Sequence, residues 1–177
     1  EVPFEAQDFD YKTHHDDPEF RKRHPLGCVP ALQDLRSGQT LIESGAICLY
    51  LAEQHSEKNL LPASDRGKCY QWFMYNYATL EPKIEPYWHI EESDPEAQGK
   101  KAKIDESLVE ILQPIEAALS KTDYIAGARF SVADIVLGQS IFWLRNRPIM
   151  ASFPKMTAYI ENLKRRPAAQ KAGLFAE

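Results

Sequence analysis

The sequence predicts a two-part chain, a mixed α/β segment over residues 1–60 followed by an all-helical one over residues 66–177. Three observations carry this. Alternating apolar positions and a hairpin signal occupy the first part. A stretch of weak periodicity containing Pro62, Lys58 to Asp65, reads as a linker. Beyond Arg66 every strong signal recurs at helical spacing. Strands gathered ahead of a run of helices indicate two unlike domains rather than one alternating sheet.

Taken in order, Val2, Phe4 and Ala6 alternate with polar neighbours, so Val2 to Phe9 reads as a strand weakened at its start by Pro3. The chain opens on Glu1 rather than Met and enters this strand almost at once, which leads us to expect a missing segment upstream. Asp17-Pro18 supplies a cap and a first-turn proline for a short helix to about Arg23. Val29 to Leu35, the turn Arg36-Ser37-Gly38-Gln39, and Thr40 to Ile42 read as a hairpin. Glu43-Ser44 opens a helix with Ile47, Tyr50 and Leu51 at helical spacing, ending near Gln54 and expected to pack on the sheet.

The second part begins with an aromatic-rich helix from Arg66 to about Ile90, bent near Pro82 and Pro86 because proline lacks the donor for a helical bond. Asp94-Pro95 caps a helix that runs through Pro114 to about Leu119. Helices from Ser131 to Arg145 and Pro154 to Arg165, and a short one after Pro167, complete the set.

Composition narrows the function. A 44% hydrophobic and 27% charged chain is that of a folded globular protein. Twenty-one basic residues are scattered among 26 acidic ones for a net charge of -5, so no basic footprint invites nucleic acid. Cys28, Cys48 and Cys69 are widely spaced without a CxxC pair, which argues against a disulfide framework and a metal site and for a reducing, cytoplasmic setting. No apolar run reaches membrane-span length, and no export leader is recognisable.

The stretch His24-Pro25-Leu26-Gly27-Cys28-Val29-Pro30-Ala31-Leu32, followed by Glu43-Ser44-Gly45-Ala46-Ile47-Cys48-Leu49-Tyr50-Leu51, resembles the glutathione S-transferase family. There the patterns are Asn-Pro-x-Gly-x-(Val/Ile)-Pro-Ala-Leu and Glu-Ser-x-Ala-Ile-x-x-Tyr-Leu. Tyr124-Ile125-Ala126-Gly127 with Ser131-Val132-Ala133-Asp134-Ile135 resembles the family's helical-domain motif. His15-Asp16-Asp17-Pro18-Glu19-Phe20 stands where plant-type and some bacterial members have His-Lys-Ser-Pro-Glu-Phe.

The resemblance implies a thioredoxin-like N-terminal domain, lacking here its first strand and helix, followed by an all-helical C-terminal domain. It also implies a cytoplasmic homodimer active in detoxification, with glutathione as co-substrate and a small hydrophobic electrophile. The family's catalytic Ser, Tyr or Cys lies at the end of the first strand or the start of the first helix, hence in the segment expected to be missing. No catalytic residue is named among residues 1–177. A non-catalytic binding module and a glutathione-dependent thiol oxidoreductase are the alternatives.

Glutathione presents a zwitterionic γ-glutamyl end, a peptide middle and a glycyl carboxylate, and the chain has chemistry for each. Ser44 begins a helix, where N–H groups and the dipole favour a carboxylate, and Glu43 can pair with the ammonium. The plain alternative for this pair is a capped helix start; its place after Val29-Pro30 favours binding. Val29 can pair with the cysteinyl backbone if Pro30, cis in the family, ends the regular ladder. His15 can donate to the glycyl carboxylate, or be an exposed loop histidine; His14 is read as surface. Asp16 replaces the family's Lys and Cys28 its Gln or Lys, and each change removes a donor.

Other residues receive structural readings. Pro30 shapes the loop, and Ser131 with Asp134 forms a capping pair at a buried helix start. Cys28 is expected as a small buried apolar residue rather than a reactive thiol. Trp72, Phe73, Tyr75 and Tyr77 are expected in a core or dimer contact before a substrate pocket.

Overall fold

The computed structural model describes residues 2–7, 16–91 and 93–175. They divide into two compact units, Glu1–Leu51 and Ala52–Glu177.

In the first unit Asp17 accepts the Glu19 N–H at 2.9 Å and starts α1 (Pro18–Arg21), which buries Phe20. Strands β1 (Ala31–Gln33) and β2 (Thr40–Ile42) pair antiparallel, with Ala31 opposite Ile42, Leu32 opposite Leu41 and Gln33 opposite Thr40. Helix α2 (Ser44–Gln54) follows after the single residue Glu43. Residues 2–7, expected as most of a strand, are exposed and in no ladder, and residues 8 and 9 lie outside the described set. Alternation alone cannot make a strand without a partner for its backbone, and among the described residues β1 and β2 pair only with each other.

The hairpin is shorter than its sequence suggests. Pro30 has no N–H to offer a ladder, so β1 starts at Ala31. It stops at Gln33 because Asp34 turns the chain: its N–H donates to Gln39 O at 2.8 Å, its carbonyl accepts from Gly38 N at 2.8 Å, and its Oδ1 accepts from Arg36 N at 2.8 Å. Gly38 has φ +73°, the left-handed conformation that this turn needs and that glycine adopts without steric cost. Leu35, counted as strand from sequence, is thrown to the surface at 85% exposure.

The second unit is helical. Its lead-in carries a single-turn 3-10 helix, Ser56–Lys58, and the stretch Lys58 to Asp65, expected as a linker, carries another, Ala63–Asp65. Leu61 there is buried, and Leu60 O accepts from Val132 N at 2.8 Å. The long aromatic helix is a relay: α3 (Arg66–Tyr75), a π-helical turn Asn76–Leu80, α4 (Glu81–Ile84) and a 3-10 turn Glu85–His89. Pro82 cannot donate to the carbonyl four residues back, and the ladder slips ahead of it so that Glu81 N donates to Asn76 O, a five-residue step.

Helix α5 (Ala97–Leu119) runs through Pro114 and buries Leu108, Leu112, Ile115 and Leu119, one stripe at helical spacing. Helices α6 (Val132–Trp143), α7 (Pro154–Lys164) and α8 (Pro167–Lys171) follow. A Cβ on Gly138 of α6 would come within 2.4 Å of Leu163 Cδ1 of α7, so the glycine permits the close approach of these two helices. Glu116 of α5 accepts the N–H groups of Lys155 at 2.8 Å and Met156 at 3.0 Å, closing the start of α7. Among the described residues no helix is long and apolar enough to cross a membrane.

Candidate functional site

The hairpin register decides which residues meet. Ala31 and Ile42 are the last paired positions, so the next residues outward are Pro30 on one side and Glu43 on the other, followed by Val29 and Ser44. Three of the four expected binding residues therefore share one end of the hairpin. The fourth, His15, lies with His14 outside the described residues.

Glu43 makes the whole strand-to-helix turn. Its φ is +69°, a left-handed conformation that costs a side-chain-bearing residue roughly 1–2 kcal/mol. Its carbonyl accepts from Ile47 N at 3.0 Å, the first bond of α2. Glu43 and Ser44 are exposed, and the first-turn N–H groups of Gly45 and Ala46 have no carbonyl four residues back within the helix. A carboxylate beside a helix start is thus presented to solvent, a pairing suited to a zwitterion.

Across from it, the Val29-Pro30 peptide is cis. Val29 is 53% exposed and its backbone makes no hydrogen bond among the described residues. Cys28 is exposed, which corrects the expectation of a buried thiol. It follows Gly27, whose φ is +67° and whose N–H closes a turn on His24 O at 2.8 Å. On a turn flanked by exposed Leu26 and Val29 there is no apolar surrounding to enclose the sulfur, and its Sγ lies 3.7 Å from Leu26 O. Cys48 is the contrasting thiol, half-buried on α2, and burial pushes its pKa up.

One network here was missed from sequence. Tyr50 OH donates to Asp34 Oδ2 at 2.6 Å and lies 3.2 Å from Ser37 Oγ, tying α2 to the hairpin turn. The phenol, and after it the Arg36 N–H, holds the Asp34 carboxyl down at about 2. The signal available was a turn aspartate with Ser37-Gly38 three residues on and a tyrosine inside the next motif; nothing in either pattern joins them.

The capping pair sits in the helical unit. Asp134 is fully buried and accepts four hydrogen bonds. Oδ1 takes Ile125 N at 2.8 Å and Tyr159 OH at 2.8 Å, and Oδ2 takes Ser131 N at 2.8 Å and Ser131 Oγ at 2.9 Å. Burial raises its pKa, with the four donors opposing. Trp72 and Phe73 are buried in the helical core, with ring centroids of Trp72–Tyr75 at 5.3 Å and Phe73–Tyr77 at 5.2 Å. Tyr75 donates to Ile111 O at 2.8 Å. Among the described residues no His, Cys, Asp and Glu cluster could hold a metal.

Comparison with known proteins follows the same division. The model for the glutathione S-transferase N-terminal domain matches residues 1–53, and that for the C-terminal domain residues 91–162. Glutathione S-transferase F14 of Arabidopsis thaliana is 33% identical over 82% of this chain, which spans only 62% of that relative's length. Glutathione S-transferase GstB of Escherichia coli (strain K12) is 30% identical over 88% of this chain and 77% of its own. The disulfide-bond oxidoreductase YfcG of the same organism is 28% identical over 90% of this chain and 78% of its own.

Among solved structures, the theta class glutathione S-transferase from Xanthomonas axonopodis pv. citri, with glutathione bound, is 31% identical with a TM-score of 0.77, covering 89% of this chain and 77% of that one. A sphingomonad glutathione S-transferase complexed with glutathione is 31% identical with a TM-score of 0.75, covering 92% and 82%. The small antiparallel sheet and the helical region after it fit a thioredoxin-like N-terminal domain and an all-helical C-terminal domain. With both domain models matched in order and a relative 30% identical over most of its length, the chain belongs to the glutathione S-transferase family.

Proposed function

We propose that this protein is a glutathione transferase, which binds glutathione, raises the reactive fraction of its thiolate and delivers it to a small hydrophobic electrophile. The observation that carries this is the convergence of Glu43, Ser44 and Val29 at one end of the hairpin, through the register Ala31 to Ile42. In this reading Glu43 pairs with the γ-glutamyl ammonium, and the start of α2 at Ser44 receives the γ-glutamyl carboxylate. The Val29 backbone pairs with the cysteinyl peptide groups, and His15 donates to the glycyl carboxylate. Pro30 keeps the Val29 backbone out of the ladder, and Ser131 and Asp134 serve the fold. A thiol of pKa near 8.5 is mostly protonated at neutral pH, so a hydrogen bond to the thiolate is the catalytic need. We assign that role to none of residues 1–177; it belongs by resemblance to the end of the family's first strand.

Further parts of the reading are a functional division into a glutathione-binding domain over 1–60 and a helical domain over 66–177, a homodimer, no metal, and a cytoplasmic setting. The test is calorimetric titration with glutathione followed by an assay with a chlorinated aromatic electrophile. Absence of glutathione binding refutes the proposal. A second reading, glutathione-dependent thiol–disulfide exchange, is favoured by the likeness to a disulfide-bond oxidoreductase. Reduction of a small disulfide at the expense of glutathione, without conjugation, selects it.

A further inference from the structure

The turn from β2 into α2 is made by one residue with a side chain, Glu43, in a left-handed conformation, and such a conformation persists only where the surroundings fix it. On the strand side the ladder from Gln33–Thr40 to Ala31–Ile42 fixes β2. On the helix side the fixing bond is that of Tyr50, whose OH donates to Asp34 Oδ2 at 2.6 Å and lies 3.2 Å from Ser37 Oγ. Asp34 is itself built into the hairpin by its N–H, its carbonyl and its Oδ1. Tyr50 is six residues beyond Ser44, about 9 Å along the helix axis at about 1.5 Å per residue. The start of α2 is therefore held between the ladder at one end and this phenol–carboxylate bond at the other.

We propose that Tyr50 and Asp34 are positioning residues for the γ-glutamyl end of glutathione: their hydrogen bond orients the start of α2 so that Glu43 and Ser44 meet the ligand's ammonium and carboxylate together. This rests on the glutathione site proposed above. Neither residue touches the ligand, so their loss is felt where the orientation of α2 matters and not at the cysteinyl or glycyl groups.

The test measures dissociation constants for glutathione and for an analogue lacking the α-amino group, on wild type, Tyr50→Phe, Asp34→Ala and Asp34→Asn, at a temperature where circular dichroism shows each folded. We expect Tyr50→Phe and Asp34→Ala to weaken glutathione about five- to twentyfold and the analogue by a smaller factor, since the analogue keeps the carboxylate contact at Ser44 and lacks only the ammonium contact at Glu43. Asp34→Asn keeps a hydrogen-bonding group at the phenol, its amide N–H donating to the Tyr50 oxygen while its carbonyl oxygen keeps the Arg36 N–H, and stays within about twofold of wild type for both ligands. A structural role alone lowers the melting temperature without changing the ratio of the two constants, and an unchanged ratio in Tyr50→Phe overturns the inference. Should Tyr50→Phe fail to fold, the Asp34→Ala and Asp34→Asn pair decides on the same ratio. A wild type that does not bind glutathione, or that binds it as well after Glu43→Ala, refutes the underlying site and is a separate outcome from an unchanged ratio in a protein that binds.

Discussion

Two aspartates, one in each compact unit, both accept a tyrosine hydroxyl and backbone N–H donors and respond in opposite ways. Asp34 accepts a tyrosine hydroxyl and a backbone N–H at a hairpin turn, and its pKa falls to about 2, first because of the Tyr50 bond. Asp134 accepts a tyrosine hydroxyl, two backbone N–H groups and a serine hydroxyl, and its pKa rises because it is buried. The donors favour the carboxylate in both places, so the difference is desolvation, which disfavours the charged form in proportion to burial. Hydrogen-bond inventories alone do not predict the sign of a shift.

The largest effect should come from the buried partner. Asp134→Ala leaves the Ile125 and Ser131 N–H groups and the Tyr159 hydroxyl without an acceptor in the core, and each such orphan costs about 1–3 kcal/mol. A total of about 3 kcal/mol, or a drop of roughly 6–12 °C in melting temperature, is expected, with glutathione affinity on the folded protein nearly unchanged. A thermal scan with unchanged stability would break the contrast at its root.

Glu43→Ala should do the reverse at the hairpin end, weakening glutathione roughly ten- to a hundredfold while the melting temperature stays close to wild type. Glu43→Gln should fall between the two, and Ser44→Ala should cost least because its backbone N–H survives. Calorimetry with glutathione and the des-amino analogue checks this; equal losses for both ligands refute the pairing of Glu43 with the ammonium.

A smaller effect is expected at Cys28. Its exposure predicts prompt labelling by a bulky thiol reagent, slowed severalfold by saturating glutathione bound at the neighbouring Val29, whereas half-buried Cys48 and buried Cys69 should label slowly throughout. Labelling of Cys28 at the same rate with and without ligand argues against glutathione lying along this loop.

The smallest effects are the two pH slopes, and they should have opposite signs. Asp34 has a lowered pKa, so the stability it adds is complete above the usual carboxylate value near 4 and is lost as the pH falls toward about 2. Asp134 has a raised pKa, so its contribution is complete below that usual value and is lost as the pH rises through the raised one. Melting temperatures of wild type against Asp34→Asn and Asp134→Asn across acid pH report each slope. Wild type should lose ground to the first variant on acidification and gain on the second; slopes of the same sign would show that burial is not what separates the pair.

How far the sequence could be read follows the range of the interactions. The hairpin, the start of α2, the cap of α6 and the interruption of the regular α-helix near Pro82 are local, written within a few residues, and were legible. So was the grouping of Val29 with Glu43 and Ser44, through two motifs on paired strands. Tyr50 and Asp34 are 16 residues apart in the chain, and in the helical unit Arg147, which donates to Asp105 Oδ2 at 2.7 Å, is 42 residues from its partner; both bonds exist only once the fold brings them together. Over the described residues 2–7 the strand expected at Val2 to Phe9 is not formed, for the same reason, since alternation describes a face but not a partner. Cys28 was misjudged because the usual burial of its residue type says nothing about a turn shaped by Gly27.

The carboxylate of Glu116 has a consequence for how the helical unit comes apart. Helix α7 starts at Pro154 after Phe153, which offers no side-chain cap, and its opening amides are received by a residue 39 and 40 positions earlier in the chain. An end closed by a side chain of another helix frays only when that contact is released, whether by rotation of Glu116 or by separation of α7 from α5. The amides of these two residues should therefore be shielded from solvent deuterium for as long as Glu116 of α5 stays docked, and Glu116→Ala should speed their exchange, which makes the start of α7 a reporter of a contact made by another helix.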